Sequence, residues 1–256
     1  MGLGELQASR ADALATLGWL LEAGVDTLVD DGPRNWLAEP EAPAVDDAAP
    51  APAARPPRAA AAVSAPAANG EVEAAIAAAD STAALYDAAK ALRAKPIFAD
   101  GEPASGVMII GQDAAPDDDR TGRPFSGPSG ALLDRMLTAI GRDRTSVYLT
   151  NLYLWRSTGG RPPSDEETRL STLILRRHIE LVRPRALLVM GDKPSKALFD
   201  TDIGITKLRG RWIDLEFGDL KVPALPTFNP AYLLRVPPHK ALAWADLLSF
   251  KVKIDA

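Results

Sequence analysis

Four short apolar runs, separated by segments with helical periodicity, constrain the fold of this chain more than any other feature. Such alternation is typical of α/β proteins with a mostly parallel sheet, because each helix carries the chain back to the edge where the next strand begins. We therefore predict an α/β fold. The fourth run contains two prolines and is expected near a sheet edge, since proline cannot donate a ladder hydrogen bond. The runs cover residues 107–110, 147–150, 186–190 and 222–228.

Capping residues and the helical spacing of apolar side chains predict the helices. The clearest covers residues 165–182, because Ser164 precedes it as an N-cap and Glu167 completes a capping box. The others are predicted at about 71–94, between an N-cap at Ser129 and Gly141, at 194–199, and near the C-terminus, where Trp244, Leu247, Leu248 and Val252 form a stripe.

The N-terminal quarter differs in composition from the rest of the chain. Residues 6–24 have the leucine spacing of an amphipathic helix, whereas about two-thirds of residues 38–69 are Ala or Pro. Such a segment cannot bury enough apolar surface to offset its chain entropy, which predicts a flexible linker. We therefore divide the chain into a helical extension at 1–37, a linker at 38–70 and a compact domain at 71–256.

The negative charge of the chain is concentrated towards its N-terminus. Residues 1–94 carry 6 Lys and Arg against 14 Asp and Glu, whereas residues 95–256 carry 23 against 20. A uniformly acidic protein would repel nucleic acid, but the greater part of the compact domain is slightly basic. The charge therefore does not exclude a polyanionic partner.

The sequence contains no cysteine and only two histidines. It therefore excludes disulfides, thiolate zinc sites, cysteine nucleophiles and cysteine-ligated iron–sulfur clusters. The chemistry must come from carboxylates, amides, hydroxyls, arginines and the backbone, and we expect no cofactor and no metal. No apolar run approaches the ~20 residues that span a bilayer, and the first residues lack a signal-peptide pattern, so a cytoplasmic protein is expected.

Polar residues follow three of the predicted strands. Gln112 and Asp113 come after the first, Asn151 after the second and Asn229 after the fourth. Ligands of open α/β sheets bind at the carboxyl ends of the strands, so these side chains are candidate site residues. Each also has a plain structural interpretation, because Asn and Asp are common in turns and helix caps. A helix start at Ser129 could in addition hold a phosphate through backbone N–H groups.

Further motifs follow one another in a specific order. They are Gly111-Gln112 with Gly-Arg-Pro-Phe-Ser-Gly at 122–127, Tyr-Leu-Thr-Asn at 148–151, Arg-Arg-His-Ile-Glu-Leu-Val-Arg-Pro at 176–184, Ile-Thr-Lys-Leu-Arg-Gly-Arg at 205–211 and Pro-Thr-Phe-Asn-Pro-Ala-Tyr-Leu-Leu-Arg at 226–235. This array resembles the uracil-DNA glycosylase superfamily, in its family 4 branch, over about residues 85–256. The resemblance implies a three-layer α/β/α sandwich. It also implies an enzyme that hydrolyses the N-glycosidic bond of uracil, or of a related deaminated base, in DNA and so initiates base excision repair, acting as a monomer.

The resemblance also implies roles for individual residues. The segment that begins at Gly111 would surround the scissile bond and the water, Phe125 would stack on the flipped uracil, and Asn151 would read the uracil edge. Asn229 takes the place of a family His that stabilises charge on uracil O2. The pair Gln112-Asp113 is similar to the Gln-Asp pair of the family 1 enzymes, in which the Asp activates water. The candidate DNA contacts are Ser129, Arg209, Arg211, Leu233, Leu234 and Arg235.

These roles agree with the chemistry of glycosidic cleavage. An Asn amide offers both a donor and an acceptor, which suits the O4 and N3–H edge of uracil. Cleavage builds positive charge on the sugar and negative charge on the leaving base, and fixed charges and dipoles beside them stabilise both. Asp113 would therefore position the water and face the sugar, while an N–H of Asn229 would serve O2.

The chain departs from family 4 where that family carries four cysteines that ligate an iron–sulfur cluster. Two of them would fall near residues 87–91, and the others match Trp155 and Ser171. We expect a colourless protein in which packing replaces the cluster. Because the cysteines, the His and the usual Gly-Glu-Ala-Pro-Gly motif are absent together, an alternative stays open: a catalytically degenerate relative that binds DNA or another partner.

Overall fold

The computed structural model describes residues 66–156 and 161–255. The predicted helix at 6–24 and most of the predicted linker lie outside these residues, so the division of the chain into three parts stays a prediction. Helix α1 (Pro66–Ala78) begins within the range assigned to the linker. In the part of the chain that is described, no helix is long and apolar enough to cross a membrane.

A six-stranded sheet lies at the centre of the described region. Its strands are β1 (Asp100–Gly101), β2 (Val107–Asp113), β3 (Tyr148–Tyr153), β4 (Ala186–Met190), β5 (Ile213–Phe217) and β6 (Leu220–Thr227). They are ordered β1-β3-β2-β4-β6-β5. The inner four run parallel, and β1 and β5 pair antiparallel at the edges, which confirms the predicted mostly parallel sheet.

The remaining helices flank this sheet. They are α2 (Thr82–Leu92), α3 (Pro116–Thr121), α4 (Pro128–Ala139), α5 (Asp165–Val182), α6 (Asp192–Phe199), α7 (Ile205–Leu208), α8 (Pro230–Arg235) and α9 (Lys240–Asp255). The bounds of α5 confirm the prediction from its capping box, since Ser164 Oγ accepts from Glu167 N–H and the Glu167 carboxylate accepts from Ser164 N–H.

Two predicted helix boundaries were wrong. The single helix expected at about 71–94 is two helices, because Ser81 interrupts it and caps α2 by accepting a hydrogen bond from Ala84 N–H at 3.2 Å. Helix α4 is capped by Gly127 rather than by Ser129. Pro128 occupies the first helical position, where a missing N–H costs no hydrogen bond.

The proline-containing strand β6 lies one strand from the edge. The edge itself is β5, a strand not predicted from the sequence, and the two form a hairpin. Each proline of β6 is paired on one side of the strand only. Pro223 lies opposite Asp214 of β5 and precedes Ala224, the first residue paired with β4, whereas Pro226 lies opposite Val189 of β4 and follows Ala224, the last residue paired with β5. Their missing N–H groups therefore interrupt neither ladder.

Alternate residues of the buried strands face opposite sides of the sheet and build two cores. On β2, Val107 and Ile109 belong to one core, whereas Met108 and Ile110 belong to the other. Helices α4 and α9 cover the first core, and helices α5 and α6 cover the second. This arrangement is the three-layer α/β/α sandwich that the family resemblance implied.

The predicted apolar stripe of the last helix was wrong in its orientation. Of its four members only Leu247 is buried, while Trp244, Leu248 and Val252 are exposed. Helix α9 instead buries a stripe turned by about one residue, which places Phe250 and Ile254 beside Leu247 in the first core. The buried residues are Ala243, Asp246, Leu247, Phe250 and Ile254.

Helices α1 and α2 pack on α5 through a third apolar cluster, which includes Leu85, Ala89, Leu154 and Ile174. This is the region where family 4 carries its iron–sulfur ligands. The matching Trp155 donates its indole N–H to the carbonyl of Arg93 at 3.0 Å, and the matching Ser171 is buried. Neither side chain is a ligand for such a cluster, so the residues present do not fit it.

His178 lies inside α5 with 1% of its surface exposed. Its ring stacks on Phe98 at a centroid distance of 4.4 Å, and its Nε2 lies 3.0 Å from the hydroxyl of Tyr148. Burial lowers the pKa of His178 to about 3 and raises the pKa of Tyr148 to about 12. Both groups are therefore neutral in the folded protein at neutral pH, and His178 has a structural role.

The buried His178 predicts a loss of stability in mild acid. In the unfolded chain, His178 binds a proton below a pKa of about 6.5, whereas in the folded chain it stays neutral down to about pH 3. The free energy of unfolding therefore decreases as the pH is lowered from about 6.5 towards 3. Between pH 7 and 5 we expect the wild type to lose about 2 kcal/mol more than His178→Gln. Urea denaturation at both pH values measures this difference. Equal losses in the two proteins would contradict it.

Candidate active site

The carboxyl ends of the parallel strands meet at one edge of the sheet. In the register of β2 and β3, Gly111 lies opposite Asn151. A cavity of about 700 Å³ opens beside this edge and is lined by residues from the strand ends and from the loops and helices that follow them. Of the predicted site residues, its walls include Gln112, Asp113, Phe125, Ser129, Asn229 and Arg235.

Asn151 presents an amide without protein partners. The residue is 2% exposed, and neither its Oδ1 nor its Nδ2 has a hydrogen-bond partner among the described residues. A buried amide that lacks hydrogen bonds is unfavourable by about 1–3 kcal/mol. A ligand that supplies one donor and one acceptor would remove this cost, so Asn151 is suited to bind a planar polar group.

Gly111 allows Asn151 and Phe125 to approach the same point of strand β2. A Cβ atom at Gly111 would overlap both Asn151 Oδ1 and the tip of the Phe125 ring. The amide and the aromatic ring therefore lie side by side against the backbone of this glycine. An aromatic face beside a donor–acceptor amide is the arrangement needed to stack a base and bind its edge.

Phe125 is held in an unusual backbone conformation. Its φ of 56° is in the left-handed region, which is unfavourable for an aromatic residue. Arg144 donates to the carbonyl of Phe125 and, at 3.1 Å, to that of Pro124. Gly130 also has to be glycine, because a Cβ there would overlap the Phe125 carbonyl. These contacts offset the strain and fix the ring.

Arg144 is itself fixed by two carboxylates. It contacts Asp134 at 2.7 Å and Asp100 at 2.9 Å. Burial alone would lower the pKa of Arg144, but the hydrogen bonds to these two carboxylates outweigh burial and raise it. The guanidinium therefore stays charged, which strengthens its hydrogen bonds to the loop carbonyls.

Gln112 and Asp113 form a pair at the end of β2. The Gln112 amide donates to Asp113 Oδ2 at 2.7 Å, and both side chains line the cavity. Asp113 is exposed to solvent, so water can reach its carboxylate. The pair can thus hold a water molecule at the mouth of the cavity that also contains Phe125.

Asn229 caps α8 and keeps one donor for a ligand. Its Oδ1 accepts from Ala231 N–H at 2.8 Å, and its Nδ2 donates to the Met190 carbonyl at 3.3 Å. These two bonds fix the orientation of the amide. Because an amide nitrogen carries two hydrogens, the second N–H is available in the cavity.

Comparison with protein families identifies the fold family. The model of the uracil DNA glycosylase superfamily matches residues 98–248, which is more than half of the chain. The chain belongs to the uracil-DNA glycosylase superfamily.

Within this superfamily the chain is similar to type-4 members. It is 29% identical over 150 residues to the Type-4 uracil-DNA glycosylase of Sulfurisphaera tokodaii, an alignment that covers 57% of this chain and 68% of that protein. With the Type-4 uracil-DNA glycosylase of Thermotoga maritima, the identity is 33% over 144 residues, covering 56% and 73%. These matches agree with the family 4-like branch indicated by the motifs.

The residues expected to enter the DNA groove of a uracil-DNA glycosylase separate into two groups. Leu234 is 40% exposed, and Arg235 is exposed at the cavity. Leu233, in contrast, is 1% exposed and packs with Phe228 and Leu132. The prediction that Leu233 contacts DNA was wrong, because adjacent residues of a helix point about 100° apart and only one can leave the core.

Arg209 and Arg211 also differ in their surroundings. Arg211 is exposed, as a phosphate contact must be. Arg209 is held by Asp246, with one nitrogen–oxygen distance of 2.9 Å, and also donates to the Leu242 carbonyl. Burial raises the pKa of Asp246, although its hydrogen bonds with Thr227 and Arg209 oppose this effect. Arg209 thus has a structural role, and its contact with DNA stays a prediction.

The sequence patterns did not identify two residues of the site, Arg144 and Asp118. Arg144 lies in the turn before β3 and fixes the Phe125 loop. Asp118 belongs to the run Asp117–Asp119, which has the composition of a solvated loop, yet Asp118 is 1% exposed. The only sequence signal for it is its place three residues after Ala115, where a carboxylate commonly caps a helix N-terminus.

The close approach at Gly111 predicts a large effect of one added methyl group. We expect Gly111→Ala to displace Asn151 or Phe125 and to lower the free energy of unfolding by about 1–3 kcal/mol, as overpacking does. Gly204→Ala is the matched glycine control, at a position in the cavity wall where an added Cβ would meet its nearest atom only at 3.8 Å. The control should change stability by less than about 1 kcal/mol. Chemical denaturation compares the two, and equal effects would contradict the prediction.

Proposed function

We propose that this chain is a DNA glycosylase that hydrolyses the N-glycosidic bond of uracil in DNA. The relatives named Type-4 uracil-DNA glycosylase support this function. The observation that carries it is the unpartnered, buried Asn151 amide beside the ring of Phe125. Uracil has a flat face for the ring, and on one edge it has the O4 acceptor and N3–H donor that the amide complements.

Recognition begins when the nucleotide leaves the duplex. An enzyme that acts on a base within DNA has to flip it into a pocket, at a cost of a few kcal/mol of stacking and pairing. In the proposed complex, Phe125 stacks on the flipped uracil, Asn151 Nδ2 donates to O4, and Asn151 Oδ1 accepts from N3–H. The rigid setting of both side chains means that little further ordering is needed on binding.

Hydrolysis replaces the C1′–N1 bond by a C1′–O bond. The electron pair of the broken bond goes to uracil, where the free N–H of Asn229 stabilises negative charge on O2. Asp113 faces the cationic sugar and positions the attacking water, while Gln112 holds the Asp113 carboxylate by its 2.7 Å hydrogen bond. The water loses a proton to Asp113 or to solvent, and the uracil anion takes up a proton from solvent. The products are free uracil and an abasic site, which initiates base excision repair.

The DNA would lie across the cavity mouth. Leu234 would fill the space that the flipped nucleotide leaves, and Arg235 and Arg211 would contact phosphates. Ser129, in the first turn of α4 at the cavity wall, is a further candidate phosphate contact. We infer a monomer that acts in the cytoplasm on DNA containing uracil or a related deaminated base.

An activity assay with two site variants tests this function. Purified protein is incubated with single- and double-stranded oligonucleotides that contain uracil, hypoxanthine or xanthine, and abasic sites are cleaved with alkali. We expect product from uracil, and a loss of roughly 100-fold or more in Asp113→Ala and in Asn151→Ala, because each removes a group that acts in the transition state. Both variants should keep the wild-type melting temperature within a few degrees.

The same assay decides between the enzyme and the degenerate alternative. If no substrate gives abasic product while the chain binds DNA in a salt-dependent way, the function is that of a binding module. No described feature favours this outcome, since Asp113 lines the same cavity as Phe125.

The two adjacent leucines of α8 predict opposite phenotypes. Leu233→Ala should lower the free energy of unfolding by about 2–5 kcal/mol, because it leaves a cavity in the core. Leu234→Ala should change stability by less than about 0.5 kcal/mol, but should lower activity more on double-stranded than on single-stranded DNA, because only the duplex needs a wedge. Denaturation curves and activity on both substrates are compared. If Leu234→Ala keeps wild-type activity on duplex DNA, Leu234 does not act as a wedge.

A further inference from the structure

One buried carboxylate connects the two segments that form the site. Asp118 Oδ2 accepts from Ala115 N–H at 2.9 Å, and Asp118 Oδ1 accepts from Ser126 N–H at 2.7 Å. Ala115 ends the segment that carries Gln112 and Asp113, and Ser126 directly follows Phe125. Together with the close approach of the Phe125 ring to Gly111, this side chain therefore ties the hydrolytic segment to the loop that carries the ring.

The contacts of Asp118 require a carboxylate. Both partners are donors, so both side-chain atoms must accept, and only an ionised acid of this size offers two acceptor oxygens. The two bonds are charge-assisted and lie in a buried position, where such bonds are strong. An Asn of the same shape would keep one bond and direct an N–H group towards the other donor.

The left-handed conformation of Phe125 makes this anchoring necessary. The residue is held on its C-terminal side through Ser126 N–H, and its own carbonyl is held by Arg144. Of these two parts of the site, Arg144 binds only the stacking loop, and its other contacts are Asp100 and Asp134. Asp118, in contrast, binds the loop and the hydrolytic segment together. Their effects on the reaction should therefore differ.

We propose that Asp118 is a positioning residue that sets the hydrolytic segment and the base-stacking ring at a fixed separation. The proposal rests on the proposed function and assigns to Asp118 no contact with the substrate. Because one carboxylate fixes both parts, its loss should affect base binding and the chemical step together. A residue that served only the stability of the fold would reduce the active fraction and leave KM unchanged.

Kinetics of matched acidic variants test the proposal. In Asp118→Asn we expect kcat to fall and KM to rise, with a total loss of roughly 10- to 100-fold in kcat/KM, as for one lost charge-assisted hydrogen bond. Asp119→Asn removes the same charge from the adjacent exposed residue and should leave both constants unchanged. Arg144→Lys, which weakens contacts of the loop but none of the hydrolytic segment, should raise KM and lower kcat less than Asp118→Asn does. A fall in kcat of Asp118→Asn with unchanged KM would overturn the proposal.

Amide hydrogen exchange of the full chain tests the geometry without any activity. In Asp118→Asn, exchange should rise at least tenfold at one of the two amides, Ala115 N–H or Ser126 N–H, namely the one that the Asn nitrogen faces, while Asp119→Asn should match the wild type. Unchanged exchange at both amides would overturn the proposal.

If Asp118→Asn fails to fold, Asp118→Glu takes its place. This variant keeps the charge and both acceptor oxygens but adds a methylene, and wild-type kcat and KM in Asp118→Glu would also overturn the proposal. A wild type without turnover overturns the proposed function and the catalytic part of this proposal, and exchange then reports on the anchoring alone.

Discussion

The pairing of β2 with β3 in the register that sets Gly111 opposite Asn151 is the constraint on which the site depends. In a parallel pair, this register brings the end of one strand beside the end of the other. Glycine at this position leaves room for the Asn151 amide and for Phe125 against the same stretch of backbone. A slip of one residue would turn the amide to the other face of the sheet, where the second core lies. The recognition site is therefore a consequence of strand pairing more than of loop structure.

The stacking ring reaches this site only because polar contacts hold a strained loop. A non-glycine residue in the left-handed region costs of order 1–3 kcal/mol. The charged groups of Arg144 and Asp118 bind backbone atoms of Pro124, Phe125 and Ser126, and each of these bonds is worth more than a neutral one. The strain is thus compensated in the free protein, and the ring is in place before DNA binds.

The parts of this structure that local patterns encode were predictable, and those that long-range contacts decide were not. The capping box at Ser164 gave the bounds of α5. Asn151 was expected directly after a strand, whereas it lies inside β3, which continues to Tyr153. Asp246, in contrast, pairs with Arg209, which lies 37 positions earlier in the chain. No local sequence pattern predicts such a pair. The alternation of Ile213–Phe217 carries a strand signal, but a segment of five residues is too short for this signal to predict a strand by itself.

The absence of cysteines concerns the support of the site as well as the packing of helices α1 and α2. Strand β3, which carries Asn151, continues into Leu154 and Trp155, and these two residues pack among helices α1, α2 and α5. The Leu154 carbonyl accepts from Ile97 N–H at 2.8 Å, and the Trp155 indole binds the Arg93 carbonyl. The chain just beyond Asn151 is therefore tied to the helix pair by apolar contacts and neutral hydrogen bonds. Since these interactions involve neither thiolate nor metal, this support of the site does not depend on redox conditions.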